Sequence, residues 1–350
     1  WLSGNGPESD IVVSTRVRVA RNLAGRRFPY RASFFERSSV FDEVSAAVPA
    51  LPAAKGLQCL NFDSLGKLEQ ELLAENRVVS PDMLKLEGDR GVACDSSCRM
   101  SIMINEEDHI RVQCMDAGLR AEDLWESVDA LDDGLGERLL YSYDSRLGFL
   151  TCCPTNAGTG LRVSFLLHLP GLVLTKTIDQ VLQGASQMGI STRGFFGEHS
   201  EVVGNFFQLS NHATMGADER EFLANTKGVI ERVIGFEREA RERIVKAATA
   251  ELTDKAWRAY GILQYARMLQ VRELLNLASA LRLGVECGVF GDATVETINR
   301  TVLMAMPAHL QRYRGSEMSE DEIAAARAEL VRDMLSRKSR RSRPSRRTKK

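Results

Sequence analysis

No stretch of this 350-residue chain stays apolar over the roughly 18 residues that a membrane-spanning helix needs. The opening, Trp1-Leu2-Ser3-Gly4-Asn5-Gly6-Pro7, lacks the basic start and apolar run of a secretory leader, so none is expected. Cysteine is sparse. The seven thiols, at 59, 94, 98, 114, 152, 153 and 287, are odd in number and sit in apolar surroundings. That pattern predicts reduced thiols in a cytoplasm rather than a disulfide framework. Cys94 and Cys98 flank what reads as a hairpin turn, and no second Cys/His pair accompanies them, so zinc is not expected. The chain also lacks a Gly-Lys-Ser/Thr phosphate loop, a dinucleotide fingerprint and any internal repeat.

What remains is the composition of a globular protein, 44% hydrophobic and 27% charged. The net charge of −1 hides an asymmetry: residues 337–350 hold nine basic groups and no acid. Without them the chain is acidic by about ten charges. The tail reads as a self-repelling, solvated, disordered extension rather than a nucleic-acid-binding arm.

The stretch that organises the chain is Cys153-Pro154-Thr155-Asn156-Ala157-Gly158-Thr159-Gly160-Leu161-Arg162. A strand is expected over 148–151 and another over 161–167, so the turn presents a thiol, hydroxyls, an amide and a guanidinium at a sheet edge. Gly158 and Gly160 could let backbone N–H groups approach an anion; an ordinary loop with a buried Cys is the alternative. Residues 10–21 alternate imperfectly and put Arg16 and Arg18 on one face of an extended segment. Two adjacent guanidiniums repel unless something anionic lies between them, a carboxylate network or a polyphosphate. Residues 99–104 and 110–115 read as a hairpin with Asn105-Glu106-Glu107-Asp108-His109 at its tip, whose bland reading is a solvated turn. Glycines at 194, 197 and 204 suggest a mobile loop over 190–200, before a strand at 205–209.

Helical spacing is expected at 40–48, 64–76, 119–132 and 177–188, then at 217–250, 253–265, 270–282, 294–304 and 319–336. A strand-rich first part and a helical last third predict an α+β body followed by a helical C-terminal domain. The expected divisions are 1–235, 236–336 and 337–350.

Taken jointly, Ser14-Thr15-Arg16-Val17-Arg18, Asn105 to His109, Cys153 to Asn156 and Arg193-Gly-Phe-Phe-Gly-Glu198 resemble, in order and spacing, the ATP:guanido phosphotransferase family. The resemblance covers roughly residues 7–235 and implies an antiparallel-sheet catalytic body flanked by helices. Creatine and arginine kinases carry a helical domain before the first motif, for which no room is expected here. The Gly6 to Val13 opening, Trp257 to Leu263 and the helical last third resemble instead the bacterial protein arginine kinases.

What the resemblance implies can be stated residue by residue. Arg16, Arg18, Arg111, Arg162 and Arg193 would hold the phosphates of ATP. Glu107 and Glu198 would flank the acceptor guanidinium, with Cys153 as a thiolate beside it. Ser14, Thr15 and Val17, then Val163, Ser164, Phe165 and Leu166, then Gly194, Phe195, Phe196 and Gly197 would line the nucleotide. Mg²⁺ would be carried by the phosphates, without protein ligands. Arg77 falls where a histidine is usual. A phosphoarginine-sensing Arg-Asp-x-x-Arg-Ala segment has its counterpart in Ile323-Ala324-Ala325-Ala326-Arg327-Ala328, without the first Arg and the Asp. The implied partners are proteins with exposed arginine, an activator protein, a Clp-type chaperone–protease and a second copy in a homodimer; no membrane or nucleic acid is expected. The implied role is protein quality control under stress. Two alternatives are a kinase of free arginine and an adaptor whose catalysis is incidental. If arginines of proteins are the acceptors, those of the 337–350 tail should become phosphorylated by the chain itself. Mass spectrometry finding that tail unmodified while other proteins are labelled would refute this.

Overall fold

A computed structural model describes residues 2–194 and 202–339. The strands are β1 (Val12–Arg21), β2 (Gln58–Asn61), β3 (Gly91–Cys94), β4 (Met100–Ile104), β5 (Ile110–Ala117), β6 (Tyr143–Asp144), β7 (Gly148–Phe149), β8 (Leu161–His168), β9 (Ile190–Gly194) and β10 (Phe206–Asn211). Eight of them form one sheet in the order β2-β3-β4-β5-β1-β8-β10-β9, every pairing antiparallel. The helices of the body are α1 (Phe34–Ala47), α2 (Lys67–Glu75), α3 (Ala121–Gly136), α4 (Pro170–Leu174) and α5 (Ile178–Gln187). Those that follow are α6 (Glu219–Tyr265), α7 (Val271–Glu286), α8 (Val295–Met304), α9 (Pro307–Arg314) and α10 (Glu320–Ser339).

The sheet is two-faced. Thr15, Val17 and Val19 of β1 sit opposite Phe165, Val163 and Leu161 of β8, and all six are buried. Beneath them lies α3, whose Leu124, Val128, Leu131 and Leu135 recur at helical spacing and are all fully buried in the same cluster. Burying each such side chain contributes about 1.5–3 kcal/mol. The other face of the sheet carries the arginines.

One buried pair fixes the centre of this body. Arg21 donates from Nε and Nη2 to Asp132 Oδ2 of α3 at 3.0 and 2.6 Å, and from Nη1 to the carbonyls of Ala20 and Thr159 at 2.9 and 2.8 Å. Its guanidinium also lies over the Phe149 ring, 3.6 Å from the centroid. The pair thereby ties β1, α3 and the organising loop together.

Helix α6 passes residue 235 without a break and leaves helical geometry only at Ala248 (φ −145, ψ 39). It joins the body to a second core built on Leu274, Leu281, Ile298, Leu310 and Val331. The junction is ionic as well as apolar. Arg241 binds Glu237 and Glu286, each at 2.7 Å; Arg282 binds Glu286 at 2.9 Å and donates to Asn299 Oδ1 at 2.9 Å and to the Ser9 carbonyl at 2.6 Å. His168 of β8 is fully buried there, its Nε2 2.8 Å from Ser279 Oγ.

Several elements differ from the sequence reading. The two helices expected at 217–250 and 253–265 are one kinked helix, and α9 was not expected at all. Ile190–Gly194, expected as loop, is a strand because it pairs with β10. Helix α10 continues to Ser339, three residues into the expected tail. Among the described residues no helix is long and apolar enough to cross a membrane.

Removing one partner of a buried ion pair strands the other, at a cost of about 3–5 kcal/mol. Asp132→Ala should therefore lose about that much in urea unfolding, and adding Arg21→Met should restore part of it. His168 yields a pH prediction. Burial, then the charges of Arg282 and Arg241, hold its pKa well below 6.5. The unfolded imidazole takes up a proton near 6.5 while the folded one does not, so its contribution to stability is lost as pH falls below that value. The stability advantage of the wild type over His168→Gln should be larger at about pH 7.5 than at about pH 5.5.

Candidate functional site

Strand register assembles the site. Arg16 faces Ser164 across β1 and β8, and Arg18 faces Arg162; on the other side Arg18 faces Gln113 and Ala20 faces Arg111. Arg193 of β9 lies opposite Gln208 of β10. Directly opposed residues of an antiparallel pair share a face, so this pattern puts the arginines of β1, β8, β5 and β9 on one surface. All of them, and Arg77, line a single cavity of about 1080 Å³. Arg162 is steadied by donating from Nη2 to Ser210 Oγ at 3.2 Å and Ser191 Oγ at 3.4 Å.

Like charges opposed on neighbouring strands cost free energy. Burial, followed by the repulsion of Arg77, Arg162, Arg111 and Arg193, lowers the Arg16 pKa to about 9. Burial and then Arg16, Arg111 and Arg162 push Arg18 in the same direction, and its Nε is buried without a hydrogen-bond partner. Burial lowers Arg77 to about 10. A multiply charged anion in the cavity would reverse each of these shifts. The donor set fits a polyphosphate.

Arg111 differs from the others. Its guanidinium meets Glu106 at 2.6 Å, Asp108 at 3.4 Å and also Glu107. Burial opposes its charge, yet Glu106, Asp108 and Glu107 raise its pKa overall. It reaches the cavity already balanced by carboxylates, and so is less available to a phosphate than the resemblance implies.

The 105–109 turn is not a solvated tip. Asn105 donates to the carbonyls of Arg37 and Asp89, each at 2.8 Å. Glu106 accepts from Ser80 Oγ at 2.5 Å. Asp108, fully buried, accepts through Oδ1 from Asn22 Nδ2 and from the Cys152 backbone N–H, both at 2.7 Å. His109 Nδ1 accepts from the Leu23 N–H at 3.1 Å, which leaves Nε2 to donate to the Arg27 carbonyl at 2.9 Å. Only Glu107 is left exposed, its side chain 42% accessible, and it lines the cavity. Asp108 binds this turn to the cysteine-bearing one, which holds Glu107 and Cys153 on adjoining segments that both line the cavity.

In the organising loop Cys153 Sγ lies 3.0 Å from Thr155 Oγ1, and both residues line the cavity. Gly158 serves a different purpose from the one expected, while Gly160 lines the cavity. The Gly158 N–H donates to the Phe149 carbonyl at 3.2 Å and is spent. With φ +104, a Cβ at Gly158 would lie 2.3 Å from the Thr214 carbonyl, so close packing demands glycine.

Four residues proposed to line the nucleotide face the other way. Thr15, Val17, Val163 and Phe165 are buried on the α3 side because strand side chains alternate; Thr15 Oγ1 donates to the Gly118 carbonyl at 2.5 Å. Ser14, Ser164 and Leu166 are buried as well, Leu166 in the second core. Gly194 ends β9 and is buried. Phe195, Phe196, Gly197 and Glu198 lie outside the described residues. No local pattern signals Glu106 and Asp108 as buried anchors, or the helical-domain residues that reach the cavity. Arg327, the arginine retained from the phosphoarginine-sensing pattern, is buried and donates to the carbonyls of Ala305 at 2.9 Å and Leu269 at 2.7 Å. It acts as an internal staple. No group of three His, Cys, Asp or Glu able to hold a metal occurs among the described residues.

Comparison with known proteins identifies the family. The family model for the ATP:guanido phosphotransferase C-terminal catalytic domain matches residues 39–240, and that for the protein-arginine kinase McsB C-terminal domain matches 249–346. The protein-arginine kinase of Desulforamulus reducens is 39% identical over 96% of this chain and 95% of its own. That of Halothermothrix orenii is 39% identical over 96% of each. A solved lombricine kinase is similar with a TM-score of 0.58 and 26% identity, over 67% of this chain and 68% of that one. The chain belongs to the ATP:guanido phosphotransferase family, in the branch whose curated members are protein-arginine kinases.

Proposed function

We propose that the chain transfers the γ-phosphoryl group of MgATP to the guanidinium of arginine side chains in proteins. The observation that carries this reading is one cavity lined both by Arg16, Arg18, Arg77, Arg162 and Arg193 and by Glu107 and Cys153. Arg16, Arg18, Arg162 and Arg193 hold the phosphates, with Arg77 beside them. Mg²⁺, carried by phosphate oxygens and water, supplies further charge neutralisation.

A guanidinium is protonated at any ordinary pH, so the attacking nitrogen must shed a proton as its bond to phosphorus forms. Glu107 takes that proton while the bond from the γ-phosphorus to the bridging oxygen breaks and ADP departs. Arg111 fixes the position of the Glu107 carboxylate, and Asp108 fixes the turn that carries it. Glu198 is assigned the other edge of the acceptor from its place in the 193–198 motif, and Cys153 supports the cationic acceptor electrostatically. Alignment and charge neutralisation supply most of the rate, because a loose phosphoryl transfer asks little covalent help.

Exposure of cavity-lining residues supports a protein substrate. Glu107 is exposed, and Tyr30, 87% accessible, lines the same cavity. The likeness to a lombricine kinase favours a second reading, a small guanidino acceptor. We place the boundary between the catalytic body and the helical domain at the Ala248 kink, between the two family matches. Membership of the protein-arginine kinase branch is what supports a cytoplasmic quality-control role with an activator, a Clp-type chaperone–protease and a homodimer.

The test is incubation with ATP, Mg²⁺ and an unfolded protein, scored for acid-labile phosphate. Labelling should occur and should fall about 10²–10⁴-fold in Glu107→Gln. Free arginine in excess should compete poorly. Efficient competition would favour the small-molecule reading, and undiminished labelling by Glu107→Gln would remove the assigned base.

A further inference from the structure

The lining of the cavity is of two kinds. Arg16, Arg18, Arg162 and Glu107 are charged. Val13 and Phe206 of the catalytic body are apolar and share the second core with Ile298, Val302 and Met306 of the helical domain, and Leu303 lines the cavity as well. Strand β1 runs along its length. A register irregularity between Val12 and Ser14 turns Val13 away from the first core and into the second, which the helical domain builds. From Val13 to Arg18 is about 16 Å at ~3.3 Å per residue, which leaves room for a base and sugar beyond the phosphates.

A nucleoside triphosphate has one charged end and one flat, largely apolar end. Its γ-phosphorus must lie toward Glu107 for transfer, so its base points toward Val13. We propose that the helical domain completes the nucleotide site, with Ile298, Val302, Leu303 and Met306 walling the base. The inference rests on the nucleotide reading given above and extends it to a domain outside the catalytic match at residues 39–240.

A second contact joins the same parts. Glu75 at the end of α2 accepts from the Ala308 and His309 N–H groups at the start of α9, at 2.8 and 3.0 Å, and lies 2.6 Å from the His309 ring. Two residues on, Arg77 takes a left-handed conformation (φ 61) and lines the cavity. The helical domain thus touches the nucleotide cavity as a wall and grips the segment that delivers one of its arginines.

Calorimetric titration of the full chain with a non-hydrolysable ATP analogue plus Mg²⁺, and separately with tripolyphosphate, tests this. Ile298→Trp, which adds bulk to the apolar lining, should weaken the analogue about tenfold or more while leaving tripolyphosphate within about twofold. Arg16→Ala should weaken both. Should Ile298→Trp fail to fold by circular dichroism, Leu303→Ala, at a half-buried position, should weaken the analogue several-fold and spare tripolyphosphate. Analogue binding unchanged in the folded wall variant, alongside loss in Arg16→Ala, overturns the inference and leaves the function standing. A wild-type chain that binds neither probe overturns both.

Discussion

Arg18 and Arg162 stand directly opposite each other on hydrogen-bonded strands, with Arg16 one step along the same face. A sheet does not gather such side chains for its own stability; the arrangement raises its energy, and burial together with the neighbouring guanidiniums lowers the Arg16 pKa. The rest of the body makes the crowding tolerable. The face beneath is packed against α3 without a charged group among its opposed β1–β8 pairs, and the Arg21–Asp132 pair pins strand, helix and loop. Repulsion that cannot be relieved by moving the backbone is what a multiply charged anion would relieve.

The acidic side of the site follows the opposite rule. Glu106, Glu107 and Asp108 are consecutive, yet two of them are consumed by Arg111, Ser80, Asn22 and the Cys152 backbone. Crowded carboxylates are stabilised by nearby donors, so the turn is rigid and a single acid is presented to the outside. For the role proposed for Glu107 that rigidity matters, because proton transfer requires a donor and acceptor within hydrogen-bond reach.

How much of this the sequence disclosed varies with the range of the interaction involved. The period of two around Arg16 and Arg18 is local, and it put both on one face correctly. The same period points the side chains of Thr15, Val17, Val163 and Phe165 the other way. The helix periods of α3, α7 and α8 were legible because their apolar stripes are regular. Helix α9 was not, since its eight residues carry few apolar side chains and its start is capped by Glu75 from the other domain. The solvated reading of 105–109 failed for a similar reason: its partners lie at positions 22, 37, 80, 89 and 152. Gly158 likewise owes its identity to Thr214, more than fifty residues on. Long-range contacts of this kind leave no periodic trace.

Asp108 illustrates what that implies for anyone surveying variants. It is inaccessible to any ligand, yet it links the backbone beside Cys153 to the turn beneath Glu107. A screen scored on turnover alone would rank it with the chemical participants. Separating scaffold from chemistry at such a position needs a readout of folding alongside one of rate.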